Sequence, residues 1–321
     1  MPRKPVRSAA APALSTWCID VVTLPTYVDE GRTFFRPMTV LVVDAATGLV
    51  LPTEVSPTID ATALAAAITA AQRGAAPLGV GPPSALQVER PELAALCREA
   101  LGDRLPITVT PSPQLEKFRT AFLEHVRATG RGGPSYAMVR TGKALLQAFF
   151  SAGAAFRKAR AWEVIDADTP ILISIPGLEL VDAAACIVTD EGTGGLMIHR
   201  DADDLISRVL GRARGMQDLE MTVIPFFERD QLPPHLSAEL RRLSFAPKRG
   251  PWPALILHDD DGVSRPVAAQ DVRVATAAMS AIAALDLAEA ASPITQTVSV
   301  VDTAYEVTIA VPHPQLARHL H

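Results

Sequence analysis

The residues best suited to chemistry by type are those of the stretch 258–261, where His258 stands beside three consecutive aspartates. An imidazole and carboxylates in one short segment are ligands that a divalent cation accepts. The same stretch lies between two extended segments, and its Asp-Asp-Gly sequence is typical of a hairpin loop. The sequence therefore favours a polar turn, with a metal site as the alternative.

A glycine-rich stretch at 192–195, Gly-Thr-Gly-Gly, has the composition of a loop that cradles a phosphate. Such a loop must lead from a strand into the N-terminus of a helix, whereas a strand-like segment follows in this chain. The lysine and hydroxyl of a nucleotide-binding loop are also missing, so the sequence favours a hairpin. Asp201, Asp203 and Asp204 lie at the start of a helical segment and are interpreted as residues that cap it and complement its dipole.

Composition argues against several classes of protein. The chain has 321 residues, 48% of them hydrophobic, which suits about two domains with buried cores. A formal net charge of −5 provides no overall attraction for a polyanion such as nucleic acid. Cys18, Cys97 and Cys186 are far apart and lie in apolar stretches, which indicates buried reduced thiols rather than metal ligands or disulfides.

The sequence predicts a cytoplasmic protein that does not enter the membrane. No apolar run approaches the roughly 18 residues needed to cross a bilayer. Residues 1–14 include Arg3, Lys4 and Arg7 but lack the continuous hydrophobic region of a signal peptide. We interpret this segment as a flexible tail.

The elements of the first half follow from β-branched runs, turn residues and helical periodicity. Asp60 or Thr58 is expected to cap the first helix, and Gly74 to end it. The predicted elements are, in order, strands at 16–23, 38–43 and 49–55, an alanine-rich helix ending at 73, a strand at 85–88, a helix at 91–101, a strand at 107–110 and a helix at 115–129.

Three strands joined by turns, then a helix, strand, helix, strand and helix, form an order that resembles the ribonuclease H and retroviral integrase fold over residues 15–128. In that family the first strand carries a carboxylate, the fourth strand ends in another, and a following helix supplies a third. The matching positions are Asp20, Glu89, and either Glu116 or Glu124. The resemblance implies that these residues hold two magnesium or manganese ions, as in a metal-dependent nuclease or strand-transfer enzyme.

The same carboxylates also have explanations without catalysis. Asp20 is explained as a solvent-facing strand residue, and Glu89 as a helix-capping carboxylate before Pro91. Glu116 and Glu124 suit the exposed face of their helix. Because the chain is acidic and no signature surrounds the helix glutamates, the sequence favours a non-catalytic binding or scaffold protein without a cofactor. A protein is then the candidate partner, and nucleic acid is a partner only for the nuclease alternative.

The second half predicts an α+β domain with an antiparallel sheet at 135–321, separated from the α/β domain at 15–130 by a Gly- and Pro-containing linker at 130–134. The segment 162–210, with Trp252-Pro253 and Arg265-Pro266, resembles an uncharacterised bacterial group of domains of unknown function, which implies a common architecture and no catalytic residue. The predicted elements are helices at 136–159, 203–214, 237–243 and 272–287, and strands at 171–175, 183–189, 195–199, 221–227, 254–258, 295–301 and 305–311.

Overall fold

Both halves of the chain combine helices with strands, and the chain divides into two units, residues 1–131 and 132–321. The predicted linker at 130–134 and residues 1–13 of the predicted tail lie outside the described residues. A computed structural model describes residues 14–29, 34–53, 55–129, 141–167, 169–190, 193–209, 220–259, 261–285 and 292–312.

The first unit is built on a mixed sheet. Its elements are β1 (Ser15–Thr23), β2 (Val28–Asp29), β3 (Phe34–Phe35), β4 (Met38–Asp44), β5 (Val50–Leu51), β6 (Val55–Ser56), α1 (Ala61–Ala75), β7 (Pro83–Val88), α2 (Pro91–Leu101), β8 (Ile107–Val109) and α3 (Pro113–Thr129). The main sheet has the order β5-β4-β1-β7-β8, with β6 also paired to β4. Strand β1 is antiparallel to β4 and parallel to β7, and β7 is parallel to β8.

Helices cover both faces of this sheet because side chains on a strand alternate between its faces. On one face, Trp17 and Ile19 of β1 pack with buried residues of α1 and α2. On the other face, Cys18 and Val22 pack with Leu115 of α3. Asp20 has the same parity as Cys18 and Val22, so the alternation directs it toward α3.

Two local predictions for this unit are corrected. Helix α1 does not end at Gly74 but at Ala75, and a 3₁₀ turn leads to Gly79, whose φ of 73° provides the left-handed stop. Gly74 is instead needed for space, because a Cβ there would collide with the ring of Pro52. The strand predicted at 49–55 is two short strands, since Pro52 lacks the N–H that a continuous ladder requires.

The second unit contains an antiparallel sheet, as predicted. Its eight strands have the order β16-β15-β12-β11-β10-β9-β18-β17, and β13 pairs with β14 separately. The elements are α4 (Lys143–Ala159), β9 (Ile171–Ile175), β10 (Leu180–Asp190), β11 (Thr193–His199), α5 (Ala202–Val209), β12 (Met221–Ile224), β13 (Phe226–Phe227), α6 (Pro234–Arg242), β14 (Trp252–Pro253), β15 (Ile256–His258), β16 (Ser264–Arg265), α7 (Ala269–Ala283), β17 (Ile294–Val300) and β18 (Thr303–Ala310).

Two helices form the large core of this unit. Helices α4 and α7 pack against each other and against inward-facing sheet residues such as Ile173 and Val307. The shorter α5 contributes Leu205 and Ile206 to a smaller cluster with Cys186 of β10. Long apolar strands and helices were predicted at nearly the observed positions, because their hydrophobic patterns extend over many residues.

Candidate functional site

A cluster of two carboxylates and two guanidinium groups lies between the centre of the first unit's sheet and α3. Asp20 occupies the middle of β1, where it pairs with Leu41 of β4, and is only 3% exposed. Its interpretation as a solvent-facing strand residue is therefore wrong. A carboxylate this deeply buried requires charged or hydrogen-bonding partners.

Arginines on two helices supply those partners. Arg90 Nη2 donates to Asp20 Oδ1 at 2.7 Å, and Arg119 Nη1 donates to Asp20 Oδ2 at 3.0 Å. The backbone N–H of Val21 adds a third bond to Oδ1 at 2.8 Å. Both carboxylate oxygens are thus bonded to cations, which offsets the cost of burying the charge.

Arg90 reaches β1 because of its position beside Pro91. It is the residue before helix α2 and has extended φ and ψ angles of −117° and 133°, the conformation that a following proline favours. From there its guanidinium also donates to the carbonyl of Val21 at 3.1 Å. The short connection from β7 to α2 therefore brings the guanidinium of Arg90 to β1, the strand that pairs in parallel with β7.

Glu89 shares one of these cations. Arg119 Nη1 lies 3.4 Å from Glu89 Oε2, while Glu89 Oε1 accepts the backbone N–H of Ser112 at 2.9 Å. Ser112 precedes α3, so Glu89 stabilises the start of that helix. The prediction that Glu89 caps α2 is wrong. The residue before α2 is Arg90, and no side chain caps that end of the helix.

The electrostatics of the cluster are balanced. The pKa of Arg119 is raised above its usual value, mainly by its hydrogen bond to Asp20 and further by the charges of Asp20 and Glu89, while partial burial acts in the opposite direction. Two negative and two positive side chains leave no net charge to attract a cation. The guanidinium of Arg119 contacts both carboxylates, so Asp20 and Glu89 would have to release it before they could hold a metal ion.

The helix glutamates are elsewhere. Glu116 and Glu124 are both exposed on α3, as expected for the outer face of a helix. Within the described ranges, no three His, Cys, Asp or Glu side chains are grouped so that they could hold a metal ion. The structure thus joins Asp20 and Glu89 through one arginine and does not add either glutamate as a third ligand.

Sequence reasoning missed both arginines, although one of them left a signal. Arg119 lies four residues after Leu115, so it falls on the same helical face as the apolar residue that packs on the sheet. A cation on the helix face that packs on the sheet must reach either water or an anion, and here Arg119 reaches Asp20. Arg90 carried no such signal, because its contact depends on the parallel pairing of β1 with β7.

The stretch 258–261 forms a turn in the residues that are described, which include all but Asp260. Asp259 Oδ1 accepts the backbone N–H groups of Asp261 and Val263, at 3.1 and 2.8 Å. Gly262, with φ 68°, completes the turn between β15 and β16. Asp201 accepts the N–H of Asp203 at 2.9 Å at the start of α5, as a capping residue does.

Thr193, Gly194 and Gly195 of the glycine-rich stretch belong to β11, which forms a hairpin with β10 in which Asp190 pairs with Thr193, whereas Gly192 lies outside the described residues. Gly194 and Gly195 are buried residues of β11. A Cβ on Gly194 would collide with the indole of Trp162, and one on Gly195 would lie 2.9 Å from the carbonyl oxygen of Ile224. These glycines therefore serve close packing, and the hairpin prediction is confirmed.

No protein-family model matches the sequence, and no curated protein matches it. Among the described residues, no helix combines the length and the apolar character needed to cross a membrane.

Proposed function

We propose that the first unit is a ribonuclease H-like core that acts as a non-catalytic binding or scaffold module. The observation that carries the proposal is the guanidinium of Arg119, which contacts Asp20 and Glu89 together. In a nuclease of this fold, carboxylates at these positions are needed for metal ions. In this chain their hydrogen-bonding capacity is used by the protein itself.

The cluster has a structural role that suits a scaffold. It links the central strand β1, the segment after β7 and helix α3, which belong to different layers of the unit. Asp20 and Arg119 are 99 residues apart in sequence, so their ion pair favours one particular arrangement of the fold. Binding of metal would require Arg119 to leave and its charge to find another partner.

A metal-dependent nuclease or strand-transfer enzyme is the second candidate. It is favoured by the strand order β5-β4-β1-β7-β8 and by the approach of Asp20 and Glu89 to the same guanidinium. In this alternative, magnesium or manganese and the nucleic acid would displace Arg119, and Glu116 or Glu124 would complete the ligand set. The two candidates differ in whether divalent metal binds at Asp20.

The deciding experiment measures metal-dependent cleavage of labelled single-stranded, duplex and hybrid nucleic acids. Wild type is compared with Asp20→Asn, and Glu99→Gln on α2 serves as the control, because Glu99 is an exposed carboxylate that belongs to neither candidate ligand set. We expect no cleavage above the protein-free blank with magnesium or manganese. Cleavage by wild type that Asp20→Asn abolishes would overturn the proposal and identify an enzyme.

Metal binding is measured on the same proteins by nuclear magnetic resonance, because chemical shifts report binding without turnover. We expect magnesium to leave the chemical shifts of Asp20 and Glu89 at the level of change seen for the exposed Glu99. A saturable change confined to Asp20 and Glu89 would contradict the occupation of this place by Arg119. Arg119→Met provides a further comparison, since it removes the competing cation.

A further inference from the structure

The second unit contains a cavity of about 520 Å³ beside helix α6. Its walls are the turn after β13, the helix α6, and the segment 243–250 that leads to β14. This volume is in the range of pockets that enclose small organic ligands. All of its lining residues are within the described part of the chain.

Four cations and no acidic side chain line this cavity. The cations are Arg229, Arg241, Lys248 and Arg249. In a chain with a formal net charge of −5, a group of four positive side chains is a local reversal of charge. Across the described ranges, none of the four forms an ion pair with a carboxylate. Their mutual repulsion is relieved when an anion binds.

The arginine on α6 is positioned for such an anion. Arg241 Nε donates to the carbonyl oxygen of Ser237 at 3.2 Å, which fixes the guanidinium on its own helix. The terminal Nη1 and Nη2 groups make no bond to any described residue. Paired guanidinium donors match the oxygens of a phosphate, with which arginine forms two parallel hydrogen bonds.

Apolar side chains also line the cavity, and the segment beside them is held by its own contacts. Trp252 is buried, and its indole N–H donates to the carbonyl oxygen of Pro247 at 2.9 Å. Gly250 lies against the indole ring so closely that a Cβ would come within 2.6 Å of it. These contacts hold the segment 243–250 in place. Apolar side chains of the lining include Leu232, Leu240 and Leu243.

We propose that this cavity binds a small organic phosphate that also carries an apolar or aromatic group. The phosphate is bound by the arginines and Lys248, and the apolar group contacts the leucines and Trp252. A free metabolite and the phosphorylated end of a nucleic acid strand share this chemistry. The volume of the cavity suits the size of the free small molecule. The proposal concerns the second unit alone and is independent of the role proposed for the first.

The test uses the full-length protein and N-methylanthraniloyl-ADP, a fluorescent phosphate ester with an aromatic group. Fluorescence anisotropy should show saturable binding that weakens as sodium chloride is raised, because the attraction is screened by salt. Wild type is compared with Arg241→Ala/Lys248→Ala. We expect affinity to fall about tenfold or more, since hydrogen bonds between charged groups are lost.

The matched control is Arg242→Ala/Lys158→Ala, which removes the same charge from exposed residues of the same unit that do not line the cavity. Its affinity should stay within about twofold of wild type, because only long-range screened charge changes. Thermal melting of each variant establishes that it is folded. Absence of saturable binding by wild type, or equal affinity of all three proteins, would overturn the proposal.

Competition identifies the chemical class. Unlabelled ADP should displace the probe at lower concentration than inorganic pyrophosphate, because pyrophosphate has no apolar group. Equal displacement by the two would remove the apolar part of the proposal. If a 5′-phosphorylated oligothymidine competes more strongly than ADP, the ligand of the cavity is the end of a nucleic acid strand and the small-molecule proposal is wrong.

Discussion

Asp20 shows how one buried charge determines the chemistry of its surroundings. Its side chain is 4% exposed, and each of its oxygens is bonded to an arginine. Arg90, by contrast, is 54% exposed and Arg119 is 34% exposed. The aspartate therefore depends on its cations more than they depend on it, since an unpaired buried carboxylate is costly whereas an exposed guanidinium is solvated.

The variant Arg119→Met should destabilise the first unit. It keeps an unbranched side chain and removes the cation shared by Asp20 and Glu89. Because Arg119 is partly exposed and Arg90 still pairs with Asp20, we expect the free energy of unfolding to fall by about 1–2 kcal/mol. Urea denaturation measures the change.

Lys117→Met is the control, because Lys117 is exposed on the same helix and forms no ion pair with a described residue. Its effect should be below ~0.5 kcal/mol. In the double variant Asp20→Asn/Arg119→Met, the loss should be smaller than the sum of the single losses, because the two side chains contact each other. Additive losses would contradict a direct ion pair.

Because of Cys97, the free energy of unfolding should depend on pH in the alkaline range. Its thiol is fully buried, and burial raises its pKa to about 11, although the cation of Arg98 acts in the opposite direction. The prediction that Cys18, Cys97 and Cys186 are buried thiols outside any disulfide is confirmed. In the unfolded chain a thiol has a pKa of about 8.5, so the folded and unfolded states differ in bound protons above that pH.

Between pH of about 9 and 11 the unfolded state releases the Cys97 proton and the folded state keeps it. The unfolded state then binds fewer protons, so the free energy of unfolding must fall as pH rises. Relative to Cys97→Ala, wild type should lose up to ~1.4 kcal/mol more per pH unit in this window. Urea denaturation at several pH values tests this, and a constant difference between the two proteins from pH 6 to 11 would disprove it.

At the scale of elements, glycines of the second unit permit close approach of strands. Gly195 in β11 stands next to Leu196, which pairs with Ile224 of β12. A methyl group on Gly195 would lie 2.9 Å from a backbone oxygen, and the backbone of a central strand cannot move without disturbing its neighbours. The close packing of β11 against β12 therefore requires glycine at this position.

We expect Gly195→Ala to lower the free energy of unfolding by about 1–3 kcal/mol through overpacking. Gly142→Ala is the matched control, because a Cβ on Gly142 meets nothing within 4 Å. Its effect should be less than ~1 kcal/mol, the size of a change at the residue that precedes a helix. Thermal melting compares both variants with wild type. Equal effects would mean that the close contact at Gly195 carries no energetic weight.

At the scale of the whole molecule, each unit has its own hydrophobic core. The core of the first unit includes Trp17 and Leu64, and that of the second includes Phe149 and Ile173. A core contained within one unit can support folding without the other. The two candidate sites follow this division, since the Asp20 cluster and the α6 cavity each consist of residues from a single unit.

The fragments 1–131 and 132–321 should therefore fold separately. Each is expected to unfold cooperatively in urea and to give dispersed amide resonances. Leu64→Asp in the first fragment is the unfolded control, because it places a charge at a fully buried position. A wild-type fragment that resembles this control would show that its core is not sufficient.

Much of the fold could be predicted from sequence because periodic patterns determine elements. The helix over Pro91–Leu101 and the strand Ile171–Ile175 were predicted at their observed bounds. The predicted end of α1 was less accurate. Gly74 is required there by its close contact with Pro52, which is distant in sequence and leaves no local pattern. The hairpins β10–β11 and β17–β18 followed from turn residues between strand segments, whereas the pairs β9–β18 and β12–β15 join distant segments and had no local signal.

The sequence by itself determined the longer strands and helices, but not short strands such as β2, β3 and β16, and it determined the presence of carboxylates at Asp20 and Glu89. Only the tertiary structure decided their surroundings, because Arg90 and Arg119 meet Asp20 through parallel pairing of β1 with β7 and packing of α3 on the sheet. The cavity beside α6 is likewise lined by both Arg229, in the segment before α6, and Lys248, in the segment after it. Local patterns record which residues are buried, whereas charge pairing between distant segments depends on how the buried faces meet.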